Sequence, residues 1–98
     1  MTINKTLNGS ALTIALSGRL DTTTAPELEK ELKTSLDNVS ELIMDFSQLD
    51  YISSAGLRVL LAAHKAMSGK GAMTVTHVNE IVREVFEVTG FTDILNIE

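Results

Sequence analysis

The stretch from Leu42 to Leu61 limits the possible folds of this chain more than any other. Leu42-Ile43-Met44 is apolar without alternation, which suits a central strand buried on both faces. The run ends in Asp45, passes through a polar segment expected to be a short loop, and restarts at Ser53-Ser54 as a helix reaching about Met67. Two hydroxyls therefore stand at a helix N-terminus. There the unpaired backbone N–H groups and the positive end of the helix dipole favour an anion such as a phosphate.

The flanking segments supply the rest of an α/β order. Ile3, Lys5 and Leu7 alternate with Thr2, Asn4 and Thr6; Leu12, Ile14 and Leu16 alternate with Thr13, Ala15 and Ser17. Asn8-Gly9 between them readily supplies the positive φ angles of a tight turn, so a β-hairpin with one wet face is expected. Thr24 and Glu27 fit a capping box, Pro26 is tolerated in a first helical turn, and Ala25, Leu28, Leu32 and Leu36 share one helical face ending near Asp37-Asn38. Gly69 and Gly71 mark the end of the second helix, and residues 72–77 alternate as a further strand. Asn79 is placed to cap a third helix with Ile81, Val82, Val85 and Val88 on its apolar side and Gly90 at its end. Residues 94–97 are either a short last strand or a tail.

Crossover helices are required between parallel strands, and right-handed crossovers put successive helices on one side unless the winding reverses. The predicted fold is α/β: a small mixed β-sheet of four to five strands with helices mainly on one face, in a single domain over residues 1–98.

Composition excludes several function classes. Eight Lys plus Arg against 13 Asp plus Glu give a net charge of −5, the wrong sign for displacing counterions from nucleic acid. A basic patch on a protein partner fits better. The chain has no cysteine, hence no disulfide or thiolate metal site. His64 and His77 lie on different elements without ligand spacing and are expected to be partly buried. No apolar run reaches the roughly 18 residues of a membrane helix, and the N-terminus lacks a basic region followed by an apolar one, so a cytoplasmic protein is expected. Gly69-Lys70-Gly71 lacks Walker spacing, and no Gly-x-Ser-x-Gly elbow occurs. No cofactor, metal or catalytic activity is implied.

On a wheel of about 100° per residue, Val59, Leu60, Ala63 and Met67 of the second helix face one way, while Ser54, Arg58, Leu61 and Lys65 face the other. The second set has the composition of a docking surface, with Leu61 as its exposed apolar member. Ser53 and Ser54 each have a structural role available as helix N-cap and a functional one as modified hydroxyls. Asp21, with Thr22 to Thr24, is either turn chemistry or part of the same surface. Asp45 and Asp50 read as loop and turn residues.

Asp45-x-Ser47-x-Leu49-Asp50-Tyr51-Ile52-Ser53-Ser54-Ala55-Gly56-Leu57-Arg58-Val59-Leu60-Leu61 resembles the signature of bacterial anti-sigma-factor antagonists, which are single STAS domains, the fold shared with sulfate-transporter tails. The resemblance implies that the serine two positions before Gly56, Ser54, is phosphorylated by a partner kinase, with Ser53 as the alternative acceptor. It also implies that Asp21, in Gly-x-Leu-Asp, belongs to the kinase-facing surface. Ser53 stands where many members carry aspartate, and Ala55 where many carry serine or threonine. The partners implied are an anti-sigma factor serine kinase, whose binding frees a sigma factor, and a phosphoserine phosphatase; nucleic acid and membrane are not among them. A transporter or signalling-assembly scaffold without a phospho-switch is the alternative. A small enzyme or ligand carrier built on Asp21, Asp45 and Ser54 would need those groups to converge on a pocket.

Overall fold

The computed structural model describes all 98 residues. Its elements are β1 (Thr2–Asn8), β2 (Ala11–Leu20), α1 (Ala25–Ser35), β3 (Glu41–Ile52), α2 (Ser54–Met67), β4 (Ala72–Thr76), α3 (Glu80–Thr89), a 3-10 turn at Phe91–Asp93 and β5 (Asn96–Ile97). The sheet runs in chain order from β1 to β5; β1 is antiparallel to β2, and the remaining pairs are parallel. Each crossover steps the same way, so right-handed connections put all three helices on one face. Leu12, Ile14 and Leu16 of β2, Leu42, Met44 and Phe46 of β3, and Val75 of β4 are buried on that side. The opposite face is lined by small or polar residues such as Thr13, Ala15, Ser17 and Asp45, all half-buried.

Several local expectations are corrected. The hairpin turn is Gly9-Ser10, because Asn8 still pairs with Ala11. Gly9 alone takes the positive φ, at +65°, the first central position of a two-residue loop where glycine is favoured. β3 is not buried on both faces: Ile43 and Asp45 remain half-exposed between buried Leu42, Met44 and Phe46.

Nor does β3 stop at Asp45. It continues to Ile52 beside β2, with register shifts between Ala15 and Ser17 and between Gly18 and Arg19. At each shift β3 holds one more residue than β2, which lets a strand depart from strict alternation. Phe46, Leu49 and Ile52 are consequently all buried although they recur every third residue. A period of three in a polar context looks like a loop when only period two is sought.

The start of α1 also differs. Thr24 makes no side-chain cap. Its Oγ1 instead donates to the Arg19 carbonyl at 2.8 Å and accepts the Asp21 N–H at 2.9 Å. On α3 the buried residues are Val82 and Phe86; Val85 is half-buried, and Ile81 and Val88 are exposed. Phe86 packs between Phe46 and Phe91, with ring centroids 6.4 and 6.3 Å away, and this aromatic row turns the helix from the expected direction. Asn79 caps α3, and Gly90 ends it, as expected.

Candidate functional site

Parallel pairing of β2 with β3 builds the site. Leu20 is in register with Ile52 at the C-terminal ends of the two strands, and the Ser53 N–H donates to the Leu20 carbonyl at 2.9 Å. Asp21 and Ser53 are the first residues beyond the ends of these strands. The register thus brings together two segments more than thirty positions apart in sequence.

Ser53 is the N-cap residue of α2 and Ser54 its first helical residue. The first helical hydrogen bond runs from the Leu57 N–H to the Ser53 carbonyl at 2.9 Å, so the amides of Ser54, Ala55 and Gly56 have no intrahelical acceptor. No side chain caps them. The expected serine cap is therefore absent. The Ser53 Oγ is shielded from solvent without a hydrogen-bond partner, whereas Ser54 is exposed. Gly56 permits the close seating of this helix start, since a Cβ there would lie 2.7 Å from Leu20 Cγ and 2.9 Å from Ile52 Cγ1.

On the β2 side, Asp21 Oδ1 accepts the N–H groups of Thr23 and Thr24 at 3.0 and 3.2 Å. The Thr24 backbone N–H is the main cause that holds this carboxyl below its ordinary range; Thr23 and the Arg19 charge, 3.7 Å away, act the same way, against partial desolvation. Asp21 is therefore a fixed anion. Arg19 in turn lies over the Tyr51 ring, 4.3 Å from its centroid.

A depression of about 340 Å³ opens beside these groups, lined by Thr22, Pro26 and Glu29 from the α1 side and by Ala55, Arg58 and Ala62 from α2. It continues between the two helices as a smaller apolar hollow of about 110 Å³ whose lining includes Leu32, Leu36, Ala62 and Ala66. The structure gathers Asp21, Thr22, Ser53, Ser54 and Arg58 at one end of the sheet. It separates Lys65, eleven residues on and about 16 Å along the helix from Ser54. Leu61 is half-buried, not the exposed handle expected, because the buried arc of α2 also includes Leu57. Helical periodicity alone does not reveal the inter-helix hollow. Its sequence signal is the small residues Ala62, Ala63 and Ala66, which recur at helical spacing where a larger side chain would fill the gap.

Asp45 lies elsewhere, on the open face of the sheet. Its Oδ1 accepts the Ser47 N–H at 3.0 Å and stands 3.3 Å from His77 Nδ1. The Ser47 N–H is the main cause that keeps this carboxyl low, with the Ser47 side chain and then His77 acting the same way against partial desolvation. His77 is exposed, contrary to expectation, and has a positive φ of 58° just after β4. No group of three or more potential metal-ligating side chains occurs.

The STAS domain family profile matches residues 2–98. The chain belongs to the STAS domain family. A Bordetella bronchiseptica protein named as a candidate anti-sigma factor antagonist, BtrV, is 39% identical to it over 88% of this chain and 76% of its own length. This STAS chain also overlays the crystal structure of an anti-sigma factor antagonist from Mycobacterium paratuberculosis with a TM-score of 0.89 at 23% identity, covering 98% of this chain and 83% of the other. The Bacillus protein SpoIIAA matches with a TM-score of 0.77 in both its unphosphorylated and phosphorylated forms, at 17% and 18% identity. These pairings cover 99% of this chain and 87% and 91% of the respective SpoIIAA chains. No helix of this STAS domain is long and apolar enough to cross a membrane.

Proposed function

We propose that this STAS domain is an anti-sigma factor antagonist switched by phosphorylation of Ser54. Unphosphorylated, it binds an anti-sigma factor that is also a serine kinase, through Asp21, Thr22, Ser54, Arg58 and the hollow between α1 and α2. That binding frees a sigma factor. The kinase, using ATP, modifies Ser54 and ends the association, and a phosphoserine phosphatase restores it. The domain is a substrate in this cycle and has no catalytic role.

The observation that carries the proposal is the contrast between the two serines. Ser54 is exposed, next in sequence to Ala55, which lines the depression, while the Ser53 oxygen is shielded from solvent. A kinase must reach the oxygen it modifies, which favours Ser54 as acceptor. A phosphate there would add about −1.5 to −2 charges at pH 7. The fold should tolerate it, because an anion at the first turn of a helix meets unpaired amides and the favourable end of the dipole. A docked partner would not. It would meet new bulk and a second anion beside Asp21, only partly offset by Arg58 one turn along. The existence of SpoIIAA in both phosphorylation states of this same fold supports a switch by local charge in place of refolding.

Intact-mass measurement of the protein from its native host, with the modified residue mapped by fragmentation, tests the proposal. The expected result is one phosphate on Ser54, absent in Ser54→Ala, and loss of anti-sigma factor binding in the phosphorylated form. Absence of phosphate under all growth conditions, with Ser54→Ala functioning normally, would overturn it.

A further inference from the structure

A second surface lies on α3, away from the depressions beside Ser54, to which no α3 residue contributes. Ile81 and Val88 are 59% and 81% exposed, among the few large aliphatics on this protein not drawn into its core. Seven residues apart, they fall within about 20° of one another on the helix, with half-buried Val85 continuing the stripe toward the sheet. Together they border a shallow depression with Glu84.

The charge beside this stripe is of one sign. Glu84 is displaced by about 40° from Val88, and Glu80 and Glu87 follow on the same flank. These carboxylates are i,i+4 and i,i+3 neighbours of Glu84, an arrangement that disfavours an isolated helix. None of the three forms an ion pair; Arg83, at the far side of the acidic row, engages none of them. An aliphatic stripe edged by unneutralised acid is the complement of a helix with leucine-like residues on one face and lysine or arginine beside them. A second copy would set acid row against acid row on two chains of net charge −5. An anionic lipid surface would meet the same repulsion.

We propose that the Ile81–Val85–Val88 stripe is a docking site for a basic amphipathic helix of a partner protein, separate from the Ser54 surface and open to use at the same time. The proposal does not depend on Ser54 being modified. It is tested on the full chain, isotopically labelled for amide NMR and titrated with a synthetic leucine–lysine amphipathic helix, with a leucine–glutamate peptide of identical pattern as control.

The expected result is a set of shifts centred on Ile81, Glu84 and Val88, weakened by salt and absent with the glutamate peptide. The Ile81→Asp/Val88→Asp variant should bind at least about thirtyfold more weakly, the size of one hot-spot loss. Both positions face solvent, and its far-ultraviolet circular dichroism should be unchanged; Glu84→Lys, which leaves the aliphatic residues in place, should also weaken binding. Shifts centred on the α1–α2 hollow, equal binding of the glutamate peptide, or unchanged affinity of both variants would overturn the proposal. So would self-association, or adsorption to phosphatidylglycerol vesicles, through α3.

Discussion

The starts of α2 and α3 share a backbone geometry and differ in everything attached to it. Both N-cap residues are extended, Ser53 at φ −102°, ψ 176° and Asn79 at φ −77°, ψ 173°. Asn79 accepts the Val82 N–H at 2.8 Å and donates to the Leu49 carbonyl at 2.8 Å, closing its helix and tying it to β3. Ser53, an equally favoured residue type for a cap, bonds to nothing through its side chain. One helix is finished by its own sequence neighbours. The other has no side-chain cap for its first amides, which are left to solvent or to a group that meets Ser54 from outside.

The seating of α2 offers the severest test of this contrast. In Gly56→Ala the added methyl would press on Leu20 and Ile52, and this overpacking should outweigh the helix propensity gained. Stability should fall by about 1–3 kcal/mol in urea unfolding. An unchanged midpoint would mean that the core does not fix where Ser54 stands. Next in size is Asn79→Ala, which removes a cap and strips the Leu49 carbonyl of its donor; a loss of about 1–2 kcal/mol is expected from the same measurement.

Ser53→Ala should move the other way. It removes a shielded hydroxyl that makes no bond, so stability should hold or rise by up to about 1 kcal/mol. A loss like that of Asn79→Ala would erase the distinction between the two helix starts. The smallest effect belongs to Asp21, which serves the start of α1. Its carboxyl titrates below the ordinary 3.8 in the folded protein, so its contribution is complete above that pH and is lost as pH falls through the lower folded value. Urea midpoints of wild type and Asp21→Asn measured against pH should therefore converge in acid. A constant gap would show that the charge of Asp21 is not what matters.

Much of the fold was legible because local spacing encodes it. The bounds of α2, the Asn79 cap and the αL glycine at position 90 all follow from short-range chemistry. The limits of that legibility are equally specific. Phe46, Leu49 and Ile52 hid a strand because two bulges altered its period. Ile81 and Val88 fit the apolar side of an amphipathic pattern, which does not say that Phe86 will turn the helix toward Phe46 and Phe91.

For the site, the residues from Asp45 to Leu61 by themselves marked the family resemblance and the pair of serines at a helix start. Only the tertiary structure decided that Asp21 stands beside them, that a hollow runs between α1 and α2, and that one serine oxygen is shielded while its neighbour is open. The reason is physical. Periodicity and capping depend on residues a few positions apart, whereas exposure and register depend on strands and helices that meet only after the chain has folded.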